Sequence, residues 1–198
     1  MVGTRGRKSE REFQDVLERA VQGDGDAFAA IWCAFNPPLI RFLRGLADNE
    51  DAVDVASTVW LEVVRGLDRF EGAESGFRAW LFTMARHRLI DLSRSRDRRP
   101  QLVSGGDEPQ VTDDHIPGPE GLIEQDWSTE QAVAFIGSLP SDQAEVLLLR
   151  VVADLDVATV AEMLGKRPGT VRVLAHRGLR RLAEQPGAYP SMDRRVTR

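Results

Sequence analysis

The chain has 198 residues and a formal net charge of −5, a length suited to one medium domain or two small ones. Hydrophobic residues at 42% and charged residues at 29% fit a globular protein in water. No apolar run reaches a membrane span, the opening MVGTRGRKSERE lacks a signal-peptide stretch, and a single Cys33 excludes an internal disulfide. A cytoplasmic protein without direct membrane insertion is expected. Cys33, set among Ile31, Trp32 and Phe35, is expected to be a small buried hydrophobe.

The net charge conceals a segregation. From Arg86 to Arg99 six arginines face only Asp91 and Asp97, and from Lys166 to Arg181 six cations stand with no acid. Between Gln101 and Trp127 the sign inverts, with Asp107, Glu108, Asp113, Asp114, Glu120, Glu124 and Asp126 uncompensated. Two basic patches are thus separated by an acidic spacer.

Residues 1–9 read as a flexible basic arm. Helical periodicity starts near Glu10 with Phe13, Val16, Leu17 and Ala20. Gly23–Asp26 breaks and recaps the chain. A second helix carrying Ala27, Ile31 and Ala34 is expected to stop at Pro37-Pro38 and resume through Ile40, Leu43 and Leu46. Asn49 or Asp51 can cap a third helix bearing Val55, Val59, Val63 and Leu67. Residues 69–76 read as a loop, and a fourth helix is predicted over about 77–96. Residues 99–127, with Pro100, Pro109, Pro117, Pro119 and the acids, read as a linker. Ser128-Thr129-Glu130-Gln131 resembles a capping box, Pro140 ends that helix, and Ser141 caps the next. Residues 186–198 read as a tail.

Val157–Leu164, Gly165 and a helix opened by Pro168 form a helix-turn-helix pattern. At 100° per residue Val171, Leu174, Ala175, Gly178, Leu179 and Leu182 share one face. Gly169, Arg172, Val173, His176, Arg177 and Arg180 share the other. An apolar inner stripe with a cationic outer face suits major-groove insertion. On the fourth helix, Trp80, Thr83, Arg86, His87, Ile90 and Arg94 project along one side, and Phe77, Leu81, Met84, Ala85 and Leu92 along another. Interleaved aromatic and cationic groups suit single-stranded DNA. Against this, a lone Trp80 is commonly a core anchor.

These segments carry a resemblance. Asp51-Ala52-Val53-Asp54-Val55, Phe77-Arg78-Ala79-Trp80-Leu81 and Ala85–Asp91 look like the first conserved domain of extracytoplasmic-function sigma factors. Leu139-Pro140, Leu148-Leu149-Arg150, Val160–Gly165 and Gly169-Thr170-Val171-Arg172 resemble their second domain. The resemblance runs in order from about Phe28 to Leu182. It implies an all-α chain of two small helical domains, 10–98 and 128–185, joined by a flexible acidic linker, the second a helix-turn-helix.

It further implies a transcription initiation factor that binds the β and β′ subunits of core RNA polymerase and directs it to −10 and −35 promoter DNA, helping melt the −10 region. Asp51, Asp54, Val55 and Trp60 match the core-polymerase contact. Arg69, Ser75, Arg78, Trp80, Arg86, His87 and Arg94 match the −10 reading elements, residues 69–76 forming the loop that pockets a flipped base. Arg167, Thr170, Arg172, Val173, His176, Arg177 and Arg180 match the −35 helix. An anti-sigma factor is an implied partner, able to hold the chain at the membrane. The acidic linker matches the segment threaded through the polymerase, and is expected to lie over the basic patches in the free protein.

Three departures stand out. Ser57 and Thr58 replace the family's usual Gln-Glu, His87 stands where Asn is common, and Val173-Leu174-Ala175 replaces Ser-Arg-Leu. An enzyme is disfavoured: His87, His115 and His176 lie far apart, no phosphate-binding glycine loop is present, and no His/Cys pair has metal-ligand spacing. No catalytic residue, metal or cofactor is expected, and Asp113-Asp114-His115 reads as solvated spacer. An activator with a similar helix-turn-helix would need a receiver or ligand domain that the first half does not suggest. A protein-only adaptor would leave the outward Arg172, Arg177 and Arg180 without a role.

Overall fold

A computed structural model describes the backbone of residues 3–98 and 123–184, and side chains within 10–96 and 129–184. The acidic linker, Asp113-Asp114-His115 and the tail lie outside the described residues, apart from the linker's last five residues. Among the described residues the secondary structure is helical throughout, and the two expected helical units are present.

Helix α1 (Gly3–Val21) begins well before Glu10. Its first turns, Gly3 to Ser9, hold no apolar residue, so there is no periodicity there for the sequence pattern to detect. Phe13, Leu17 and Ala20 are buried. Gly23, at φ +89°, turns the chain, and the Asp24 carboxylate accepts from the Asp26 and Ala27 N–H groups at 2.9 and 3.1 Å. Those bonds, the Ala27 N–H first, and the Arg19 guanidinium hold the Asp24 carboxyl below the usual carboxylate range.

Helix α2 (Gly25–Arg44) runs straight through Pro37-Pro38, which corrects the expected break. A proline in a helix interior costs about 3 kcal/mol. Ile31, Phe35, Leu39, Phe42 and Leu43 on the same helix are buried, each contributing roughly 1.5–3 kcal/mol. Packing outweighs the lost hydrogen bonds. The same geometry corrects the reading of Cys33, which is exposed. Ile31 and Phe35 are one turn apart on the inner face, and a residue midway between them points outward.

Helix α3 (Asn49–Gly66) is capped by Asp48, not by Asn49 or Asp51; its carboxylate accepts the Asp51 N–H at 2.9 Å. A single 3₁₀ turn, Leu67–Arg69, leads to α4 (Glu74–Arg98), which starts a turn before Phe77. Edge-to-face contacts of Phe35 with Phe77 and Phe42 with Phe82 tie α2 to α4.

In the second unit, α5 (Ile123–Gly137) already contains Ser128, so the predicted capping box lies inside the helix. Glu124 and Gln125 are helix formers that extend it backwards. Pro140 occupies the cap of α6 (Ser141–Leu147) without a side-chain bond, making Ser141 the first helical residue instead. A π turn, Leu148–Val152, follows. Helix α7 (Val157–Leu164) is capped by Asp156, which accepts from the Ala158 and Thr159 N–H groups at 2.7 and 2.9 Å. Helix α8 (Pro168–Glu184) completes the unit.

Candidate nucleic-acid interface

The turn between α7 and α8 depends on Gly165, whose φ of +60° is left-handed. The Lys166 N–H returns to the Ala161 carbonyl at 2.8 Å, closing the end of α7. Val171, Leu174 and Gly178 then bury the inner face of α8. A Cβ on Gly178 would stand 2.7 Å from Leu147 Cδ1, so this glycine lets α8 lie close on α6. Arg167, Thr170, Arg172, Val173, His176, Arg177 and Arg180 are all exposed, as expected. Leu179 is the exception to the predicted inner face, at 56% exposure. Arg180 pairs with Glu184 at 3.1 Å. Among the described residues Arg167, Arg172 and Arg177 have no acid partner. Their face is cationic and unsatisfied.

The other basic helix differs. Phe77, Leu81, Phe82 and Ala85 bury one side of α4. Trp80 is half-buried in a slot: its ring stacks on Phe70 at 5.3 Å and 24°, meets Phe77 edge-on, and lies where a Gly66 Cβ would approach to 3.1 Å. Trp80 therefore supports the core and borders the loop. Arg78 bonds Glu74 at 2.7 Å, lies 3.7 Å from Asp154 and sits over the Phe35 ring. Arg86 bonds Glu145 of α6 at 2.8 Å. Arg69, Ser75, His87 and Arg94 are exposed. The Thr83 hydroxyl bonds back to the Ala79 carbonyl.

The loop between α3 and α4 is braced from two sides. Phe70 covers Trp80, and Gln14 of α1 donates to the Gly72 carbonyl at 2.5 Å. Neither Phe70 nor Gln14 figured among the predicted site residues. An aromatic isolated in a polar loop was the available signal for Phe70; a contact across 58 positions left none for Gln14.

On α3, Val55 and Trp60 are core residues, at 7% and 8% exposure. The Trp60 indole N–H donates to Asn36 at 2.9 Å. Asp51 Oδ2 lies 2.5 Å from Arg96, an ionic contact outside hydrogen-bond geometry. Asp54 is exposed, and Val53, Leu61 and Val64 expose about half or more of their surface along the outer face. Ser57 and Thr58 turn their hydroxyls back to the Val53 and Asp54 carbonyls. Among the described residues no three His, Cys, Asp or Glu side chains converge as a metal site, and no helix is long and apolar enough to cross a membrane.

Comparison with known proteins decides what this pairing of helices is. Residues 34–99 match Sigma-70 region 2, and residues 129–182 match Sigma-70 region 4. The ECF RNA polymerase sigma factor ShbA of Streptomyces griseus is 33% identical over 84% of this chain and 91% of its own. The chain belongs to the extracytoplasmic-function sigma factors. The sigma factor SigD of Mycobacterium tuberculosis is 29% identical over 86% of this sigma factor and 82% of its own length. The sigma factor RpoE of Bartonella quintana, solved with the anti-sigma factor NepR, shares the fold with a TM-score of 0.62 at 24% identity, over 79% of this chain and 94% of that one. The solved CnrH, in complex with the cytosolic domain of CnrY, gives 0.55 at 21% identity, over 86% and 94%. As a sigma factor, the chain acts in transcription initiation with RNA polymerase. The region 2 match runs from the middle of α2 through α4, and the region 4 match from the middle of α5 into the last turn of α8.

Proposed function

We propose that this sigma factor docks on core polymerase through the outer face of α3, places α8 in the major groove of the −35 element, and reads and opens the −10 element with α4 and the Phe70–Ala73 loop. The single observation that carries the reading is the cationic face of α8, held outward by a left-handed glycine turn and unpaired among the described residues. Arginines there can bridge guanine O6 and N7 or hold phosphate, and Val173 can meet a thymine methyl. Arg86, His87 and Arg94 are the proposed backbone and base contacts of α4, with Arg69 and Ser75 at the loop. Arg78 and Trp80 shape that surface from behind. On α3 the proposed polymerase contact is Asp54 with the exposed Val53, Leu61 and Val64, while Asp51 anchors the helix start to Arg96. An anti-sigma protein is a further proposed partner, because RpoE and CnrH were solved with such proteins or their named counterparts. The site of action is the cytoplasm, with polymerase.

Run-off transcription with core polymerase on fragmented genomic DNA tests the reading. The expected result is transcripts with discrete starts only when the chain is added. Transcripts no more discrete than those of core alone would reject it.

A further inference from the structure

We propose that α1, which precedes the region 2 match, takes part in −10 recognition: Gln14 positions the loop between α3 and α4, and through it the fit of a −10 base against α4. This rests on the functional reading above and adds a specificity-setting residue to it.

The loop runs from Phe70 to Ala73, between the 3₁₀ turn and α4, and its two sides are held by different means. Its inner side rests on a ring. Phe70 stacks on Trp80 at 5.3 Å and meets Phe77 edge-on at 5.4 Å. A Cβ on Gly72 would come within 3.1 Å of Phe70 Cζ, and one on Gly76 within 3.8 Å. The loop thus folds closely over the ring. These apolar contacts fix its height above α4, but apolar contact is not directional. The outer side is polar. Gly72 is exposed, and its carbonyl accepts Gln14 Nε2 at 2.5 Å. A glycine backbone in solvent has many conformations to choose from, so this bond selects the one that the loop holds.

Helix α1 can serve as a brace because its own register is set in the core. Phe13 and Leu17 are buried, and the Phe13 ring lies 5.6 Å from Phe77 and 6.1 Å from Phe35. Gln14 follows Phe13 by one residue, about 100° around the helix. A packed neighbour therefore carries the half-buried Gln14 to the loop. Phe77 touches Phe13 on α1 and Phe70 on the loop, so brace and loop share one support. A base entering between the loop and α4 meets a wall whose position depends on a single amide-to-carbonyl bond. Losing that bond leaves the ring anchor, and with it the fold, in place while the gap changes shape.

Holoenzymes carrying Gln14→Met or Gln14→Glu test this on a promoter library randomised across the −10 element, built from a promoter found in the run-off assay. Both variants keep the length of the side chain and lose the donor. Base preference at one −10 position should flatten by about two- to tenfold, the worth of one neutral hydrogen bond. Preferences at the other −10 positions and at −35 should hold, and the melting temperature of the chain should not move. Gln14→Lys, which keeps a donor, should retain the preference. Unchanged preferences in both donor-less variants would overturn the proposal. So would an even loss at every −10 position with a lowered melting temperature, the mark of a merely structural residue. Arg69→Ala/Ser75→Ala, at the two ends of the loop, separates the two readings. If that variant alters −10 preference and the Gln14 variants do not, the brace alone is rejected. If none of them alters it, the loop does not read the −10 element and the underlying reading falls as well.

Discussion

Helices α4 and α8 are both basic and amphipathic, yet they present their cations in opposite ways. On α8, Arg172 and Arg177 stand in solvent without an acid partner among the described residues, and the apolar stripe of Val171 and Leu174 fixes the helix without involving them. On α4, Arg78, Arg86, Arg88 and Arg96 each pair with an acid, and Trp80 is wedged between Phe70 and Gly66. Duplex recognition can use a rigid face made in advance, because the major groove already exists. Reading unpaired bases requires groups that are released or rearranged as the strands part.

The largest expected effect comes from the element that joins support and reading. Trp80→Ala removes a stacked and an edge-on aromatic contact, and should lower unfolding free energy by about 2–3 kcal/mol, below the range for a fully buried aromatic. Chemical denaturation reads the loss. A stability change near zero would place Trp80 with the exposed groups and erase the contrast with α8.

Arg172→Ala or Arg177→Ala should do the reverse. Where the arginine bridges a guanine, holoenzyme affinity for a cognate promoter should fall by about 1–3 kcal/mol and one base preference should relax. The melting temperature should not move. If both variants bind like wild type, α8 does not read the −35 element.

Gly165→Ala sharpens the claim that α8 is positioned by its turn. A Cβ meets nothing within 4 Å there, so the cost is conformational, about 1–2 kcal/mol for a left-handed alanine. Differential scanning calorimetry should show the shift. No shift would mean that the turn relaxes without cost.

The smallest effect is a pH dependence. The Thr159 N–H and hydroxyl, followed by the Ala158 N–H, hold the Asp156 carboxyl below its ordinary value of 3.8. A depressed folded value means that the cap's charge contributes fully above 3.8, and that this contribution fades as pH falls through the folded value. Asp156→Asn keeps a cap but not a charge. Its stability difference from wild type should be constant at neutral pH and shrink only in acid; a difference unchanged down to pH 2 would contradict this.

The sequence carried the helical class, the two-unit order and the two sides of α8 apart from Leu179, because a 3.6-residue period on a surface helix reports both its sides at once. It misplaced what depends on partners far along the chain. Pro37-Pro38 reads as a break until the burial of Phe35, Leu39 and Phe42 is known. Cys33 reads as buried until the helix is seen to place Ile31 and Phe35 inward and the residue between them outward. Glu145 gave no signal at all, since no local pattern links it to Arg86 across 59 positions.

Permanganate footprinting of holoenzyme–promoter complexes, paired with gel-shift binding, tests the division of labour between the helices most directly. With Arg172→Ala/Arg177→Ala, promoter binding and thymine reactivity should fall together. With Arg86→Ala, binding should persist while −10 thymines stay unreactive. If the Arg86 variant loses binding as completely as the α8 variant, or opens promoters like wild type, the assignment of pre-formed duplex reading to α8 and released strand reading to α4 is wrong.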